Sequence, residues 1–368
     1  MRKLFSSTLF VLCSLSAATA FAYGEGADIP IEARAIHLLT NEARCNTHEA
    51  LANCGERCGE AACYDESMGP LYWNDNLFRA AQFHAQMLDY LKPAEKWSWC
   101  MQHDSPCVLK STIGQDFPSK CDGNPSCACE AGKATCGDVG TKTFDRVRMF
   151  GTAGSAENLA SVSTPLSTFQ LWLFENSTST ECKYSGSNGH RWSILNKNHK
   201  AVGVGFGTSI ASQDFAGSSS ETSAISSGAH YLDGKTLWFK MHYYATSPAK
   251  SAVVNVGGTE TALSRTRGTD TNGVWGTSEI AAPAKCAQYF FSATAADGTV
   301  TRYPTTGFLL YDCDNGKSWF DPDAPSEKSG KGSDDDCSAL PTRPAPLAPW
   351  AALAILGLSL GAVLRRRG

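Results

Sequence analysis

Apolar side chains recur at helical spacing over residues 31–44, where Ile31, Ala35, Leu38, Leu39 and Ala43 form one stripe and Pro30 suits a first turn. Residues 75–90 repeat the pattern, with Leu77, Ala80, Ala81, His84, Met87 and Leu88 on one face, so a histidine points with the apolar stripe. A third helix is expected over 165–175, carried by Phe169, Trp172 and Phe174, and a short one over "RWSILN" at 191–196. Segments 201–207 and 236–245 read as strands, 150–162 as turn-rich, and 211–228 as a Ser- and Gly-rich stretch. From residue 252 the period becomes two: short runs of β-branched and aromatic residues alternate with Gly, Pro and Asp, and Asp297-Gly298 marks a hairpin turn. The pattern predicts an α+β chain in which mixed helices and strands give way to a small immunoglobulin- or fibronectin-like β-sandwich over 250–316, with Cys286 and Cys313 as its disulfide.

The two ends read as processing or anchoring segments. Residues 1–22 have a basic start, an apolar stretch and small residues at Ala18, Ala20 and Ala22, the pattern of a secretory signal. Residues 317–343 form an acidic, flexible linker that cannot build a core. In the tail, 344–368, a proline-rich stretch precedes an apolar run at 350–364 and a cluster of three arginines. As a helix the apolar run would span about 22 Å against a hydrocarbon core of about 30 Å, and its basic end would stay cytoplasmic. This order resembles the tripartite C-terminal sorting tails of myxobacterial surface proteins, with Cys337 as the cysteine; a plain one-helix membrane anchor is the alternative. Either implies an exported protein held at the bacterial cell surface or outer membrane.

Losing both ends shifts the net charge from −4 to about −10, which argues against nucleic acid as a partner. Of the fifteen cysteines, Cys13 leaves with the signal. The remaining fourteen suit disulfides in an oxidising compartment. Residues 92–143, rich in Gly, Ser, Cys and Pro and without a clear period, read as a disulfide-braced insertion. Their cysteines lack paired CxxC spacing, which argues against a zinc cluster.

Four short contexts carry the candidate chemistry: His84 in "FRAAQFHAQML", Glu157 in "GSAENLA", Glu175 in "WLFEN" and His190 in "GHRWSILN". With "NEARC" in the first helix and "NKNHKAVGVGFG" after His190, they resemble, in order, the motifs of the CAP superfamily: cysteine-rich secretory proteins, antigen 5 and pathogenesis-related proteins, also called SCP. The resemblance covers residues 31–246. It implies an α-β-α sandwich around an antiparallel sheet and a cleft lined by two histidines and two glutamates, here His84, His190, Glu157 and Glu175. Arg191 follows His190 as in bacterial members, whereas the long gap from Glu175 to His190 is closer to eukaryotic ones.

Two imidazoles and two carboxylates can ligate a divalent metal such as zinc, or fix each other's tautomers. Metal-bound water with a glutamate base would also be a hydrolytic arrangement, although no HExxH motif is present. The leading expectation is a surface-anchored binding or interaction module, with a lipid, a cell-envelope component or a protein as ligand. The alternatives are a metal-dependent extracellular hydrolase of peptides or envelope polymers, and a disulfide-hardened structural protein.

Overall fold

The computed structural model describes residues 29–91, 101–105, 129–130, 133–134, 141–161, 164–313 and 316–322. The expected signal (1–22), the sorting tail (344–368) with Cys337, and most of the linker (317–343) and of the insertion (92–143) lie outside the described residues. Among the described residues no helix is long and apolar enough to cross a membrane.

Helix α1 (Ile31–Cys45) leads into a short α2 (Thr47–Leu51), two 3-10 turns, β1 (Tyr72–Trp73) and the long α3 (Asp75–Leu91). A small hairpin, β2 (Cys129–Glu130) and β3 (Lys133–Ala134), precedes α4 (Thr143–Met149), β4 (Ala156–Ser161), α5 (Pro165–Leu173) and α6 (Gly189–Ile194). Strands β5 (Ala201–Phe206), β6 (Ile210–Ala216), β7 (Ile225–Asp233) and β8 (Thr236–Tyr244) follow. The remainder is β9 (Ala249–Val256), β10 (Thr259–Ala262), β11 (Ser264–Gly268), β12 (Asn272–Thr277), β13 (Ala287–Ala295), β14 (Val300–Tyr303), β15 (Phe308–Tyr311) and β16 (Trp319–Phe320).

A four-stranded sheet of order β1-β5-β6-β4 carries α3 on one face. The contact is close because β5 is "AVGVGF": a Cβ at Gly203 would stand 2.0 Å from the Phe78 backbone nitrogen, and one at Gly205 2.3 Å from the Ala81 carbonyl carbon. Only glycine lets the strand and helix backbones approach this far. The opposite face meets α1, α5 and α6. There Gln213 of β6 donates to the Thr40 hydroxyl of α1 at 2.9 Å.

Helix α1 is itself enclosed, because its other side packs on a second sheet of order β11-β12-β8-β7. All its residues except Ile31 and Glu32 are buried, more than the single stripe of an amphipathic surface helix would require. Its polar side chains therefore need partners, and they have them. Asn41 exchanges hydrogen bonds with the Leu71 backbone, accepting at 2.8 Å and donating at 3.0 Å, and donates to Ser227. Arg44 donates to the carbonyls of Gly69 and Ile194. Beside them the Ser226 hydroxyl meets His242 Nδ1 at 2.7 Å, and His242 Nε2 donates to Asn272 Oδ1 at 2.9 Å. This buried serine–histidine–asparagine chain ties β7, β8 and β12 together.

The second sheet packs its far face on a third, of order β10-β9-β13-β15-β16 with β14 also on β13. His230 pairs with the Tyr289 hydroxyl at 2.8 Å, and the Phe239 and Tyr289 rings stand edge to face. A β-sandwich thus forms, but not as a separate domain over 250–316. Strand β8 pairs with β12 from Phe239↔Thr277 to Tyr244↔Asn272, so the expected boundary between 246 and 250 runs through the middle of a sheet. The described residues fall in one compact unit ending at Asp323. The physical reason is that β7 and β8 must cover α1 on one face and the third sheet on the other. Cys286 and Cys313 form the expected disulfide. At the close of the fold Arg34 donates to the Ser318 hydroxyl at 2.9 Å, returning the last strand to the start of α1.

Burial holds four interior histidines below their ordinary value of 6.5: His37 and His230 to about 4, His84 and His242 to about 3. Below pH 6.5 the unfolded chain takes up protons that the folded interior refuses, so stability falls as pH falls, by up to roughly 1.4 kcal/mol per pH unit for each histidine. Chemical denaturation between pH 7 and pH 4 should show the midpoint dropping steeply below pH 6.5. A midpoint flat over that range would contradict the neutral interior histidines.

Candidate functional site

Strand β4 brings the first candidate pair together. Its Glu157 faces α3, and the carboxylate lies 4.0 Å from Nε2 of the fully buried His84. That Nε2 donates to the Gln102 carbonyl at 2.9 Å, while Nδ1 has no hydrogen-bond partner. Glu157 Oε1 accepts from His103 Nδ1 at 2.9 Å, and Oε2 is held by the guanidinium of the buried Arg146. Burial alone would raise the Glu157 carboxyl, but Arg146, His84 and His103 outweigh it and hold the group down to about 2. It is an ionised, engaged carboxylate, far from the near-neutral poise of a general base. His84 is pushed down to about 3, first by burial and then by the Arg146 charge, and stays neutral.

Next to Glu157 in register stands Asp214 of β6, fully buried, with no donor to either oxygen. Burial and then the Glu157 charge raise its carboxyl well above the ordinary value. Two carboxyls side by side in one buried site resist ionising together.

The second pair is built on the loop from α5 to α6. His190 Nδ1 lies 2.7 Å from Glu175 Oε1, and Glu175 Oε2 accepts from the backbone N–H groups of His190 and Arg191 at 2.8 and 3.2 Å. The His190 side chain keeps 31% of its surface. Its support is a fully buried ion pair: Arg191 Nε donates to Glu60 at 2.8 Å, and its Nη1 donates to the carbonyls of Leu173 and Glu175. Glu60 sits in the cysteine-rich loop fastened by the Cys54–Cys58 and Cys63–Cys182 disulfides. Cys45, nearby in sequence, is free and buried, its thiol pushed up to about 12 by burial. Beside α6 a cavity of about 180 Å³ is lined by Tyr64, Met68, Trp192, Leu195, Asn196 and Lys197, among others.

The structure brings His84 to Glu157 and His190 to Glu175, and does not gather the four into one donor set. Among the described residues no group of three or more His, Cys, Asp or Glu is arranged to hold a metal ion. The cause is strand alternation. Glu157 faces α3, so its neighbour Asn158 faces the other way, and it is Asn158 that donates to the His190 carbonyl at 3.2 Å. A zinc ion also needs free donor electrons, whereas Glu157 is committed to Arg146 and His103, and Glu175 to the α6 backbone and His190. The residues present do not fit the expected metal, and no chemistry is derived through one.

Arg146, His103, Asp214 and Glu60 escape motif reading. The first two belong to or border the cysteine-rich insertion, where nothing in the pattern marks them. A carboxylate inside "IASQDFA", a strand buried at every position, was the available signal for Asp214.

No family model matches the chain, and no curated protein matches it. Among solved structures it is similar to an extracellular protein containing an SCP domain from Bacillus anthracis, at 16% identity and a TM-score of 0.27. The match covers 50% of this chain and 40% of that one, and the functional reading rests on this chain's own residues.

The raised Asp214 carboxyl holds its proton more tightly in the folded than in the unfolded state, so Asp214 opposes the fold increasingly as pH rises above about 4. Asp214→Asn retains a donor toward Glu157 without that titration. It should raise stability at pH 7 by on the order of 1–3 kcal/mol, with the gain shrinking to nothing near pH 4. Thermal melts at the two pH values check this; a loss of stability at pH 7 would contradict the raised Asp214 carboxyl.

Proposed function

We propose that the protein is an exported CAP-like binding module held at the bacterial surface, and that it engages a cell-envelope ligand through the face around His190 and Glu175 without chemical turnover. Family-like motifs in the expected order support the class, and the signal-like start and tail support export and anchoring. The observation that carries the binding reading is the His190–Glu175 dyad, open to solvent on one side and fixed from behind by the buried Arg191–Glu60 pair. A rigid donor–acceptor pair presented to solvent suits recognition of a polar group, because little ordering entropy remains to be lost. Tyr64, itself buried, and Trp192, ring centroids 5.9 Å apart, line the cavity beside α6. Hydrolysis is the weaker reading, since both glutamates serve as hydrogen-bond acceptors within the fold.

The test is co-sedimentation of the purified protein with isolated cell-wall sacculi and, separately, with phosphatidylethanolamine–phosphatidylglycerol vesicles. Retention on one of the two is expected. His190→Ala should weaken it about tenfold, the scale of one charge-assisted hydrogen bond, with an unchanged melting temperature. Retention on neither, or equal retention of the variant, would contradict the reading. Peptide turnover abolished by Glu157→Gln would replace it with the hydrolase.

A further inference from the structure

The cavity beside α6 is lined by chemistry that the His190–Glu175 dyad does not use. Tyr64 and Trp192 both line it, and their rings meet edge to face at an interplanar angle of 60°. Met68 and Leu195, both buried, add apolar surface. The Tyr64 hydroxyl is committed to Glu60, to which it donates at 3.2 Å, so what this residue has left for a ligand is its ring. The polar part of the lining includes Asp65, Asn196, Lys197 and Asn198. Lys197 Nζ stands 3.3 Å from the Asp65 carboxylate, and the two side chains stay exposed, at 69% and 53%.

Both sides of the cavity are held in place. The Cys63–Cys182 disulfide anchors the chain just before Tyr64, His48 Nε2 donates to the Tyr64 carbonyl at 3.1 Å, and the Met68 N–H donates to the Arg44 carbonyl at 2.8 Å. Across from them the Asn198 N–H donates to Asn196 Oδ1 at 3.0 Å, and Lys200 Nζ to the Lys197 carbonyl at 2.9 Å. At about 180 Å³ the cavity is smaller than the roughly 300–1,000 Å³ of sites for drug-sized ligands, and suits a head group.

Aromatic faces attract organic cations. A carboxylate beside such rings fixes where the positive charge sits, and here that carboxylate already holds an ammonium, the chain's own Lys197. An exposed pair of this kind is screened by water and contributes little to stability, so an incoming ammonium can take Asp65 in its place. Lys197, once released, is a point charge suited to a phosphate. A pair of opposite charges beside two rings is thus complementary to a molecule that carries both charges itself.

We propose that this cavity binds a small zwitterion in which an organic ammonium is joined to a phosphate, the chemistry of phosphocholine and phosphoethanolamine. The ammonium lies against Trp192 and Tyr64 and replaces Lys197 on Asp65, and the phosphate takes the Lys197 ammonium. No covalent bond forms or breaks. The inference does not rest on the binding role of the His190–Glu175 dyad.

The experiment is calorimetric titration of the full chain with phosphocholine and with phosphoethanolamine at low ionic strength. Both should bind, and choline or inorganic phosphate alone should bind at least about tenfold more weakly. Trp192→Leu should weaken phosphocholine about tenfold, and Trp192→Phe, which keeps a ring, should weaken it less. Lys197→Met separates the two halves of the ligand: it should weaken phosphocholine and tighten choline, because Asp65 then has no internal ammonium to exchange. Asp65→Asn should weaken both. These two substitutions are at exposed positions and should leave the melting temperature unchanged, so they carry the test even where Trp192→Leu does not fold. Absence of binding of either zwitterion by wild type at millimolar concentration would overturn the proposal. So would a Lys197→Met variant with the choline and phosphocholine affinities of wild type. Flotation with phosphatidylethanolamine vesicles names the source: retention that Trp192→Leu loses assigns a lipid head group, and soluble binding without retention assigns a free solute, both in agreement with the proposal. The soluble titration uses neither sacculi nor vesicles, so its failure and failure of the dyad's role are read separately.

Discussion

Enclosure of α1 between two sheets is the constraint on which the rest of this structure depends. A helix covered on both sides can keep polar residues only if each finds a partner, since an unpaired buried polar group costs about 1–3 kcal/mol. Asn41, Arg44, Thr40 and His37 meet that condition through the β1 segment, the α6 loop and the strands on either side. Because α1 needs cover on its second face, β7 and β8 cannot end the first half of the chain. They recruit β12 and β11, and the third sheet then closes over their far side. The fold behaves as one stack of layers, with the apolar interior continuous from α5 through α1 to β13.

The same layering divides the candidate chemistry. A strand shows alternate side chains to alternate faces, so β4 can send Glu157 toward α3 and Asn158 toward α6, never both to one cleft. His84 and Glu157 end in the interior beside the buried Arg146. His190 and Glu175 end at a surface braced by Arg191, Glu60 and two disulfides. One pair is protected from solvent, and the other is presented to it.

The sequence exposes this architecture where periodicity is uncontested. Helices α1, α3 and α5 follow from their apolar spacing, the Cys286–Cys313 bridge from its place in short strands, and the inward turn of His84 from its position on the α3 stripe. Strands β4, β6 and β7 are hidden because "AENLAS", "IASQDFA" and "ISSGAHYLD" bury Ser, Gln, Asp and His beside apolar residues, which erases the alternation that marks a half-exposed strand. The sheet shared by β8 and β12 is equally hidden, since pairing across 28 or more residues leaves no local trace. Resemblance to a known motif order named His84, Glu157, Glu175 and His190, and could not say that a resident arginine stands beside one of the pairs.

The most direct measurement is a crystal structure of the protein soaked in zinc. The account predicts Arg146 on Glu157, Glu175 on the α6 backbone, and no ion shared between His84 and His190. A single ion ligated by both histidines would contradict it.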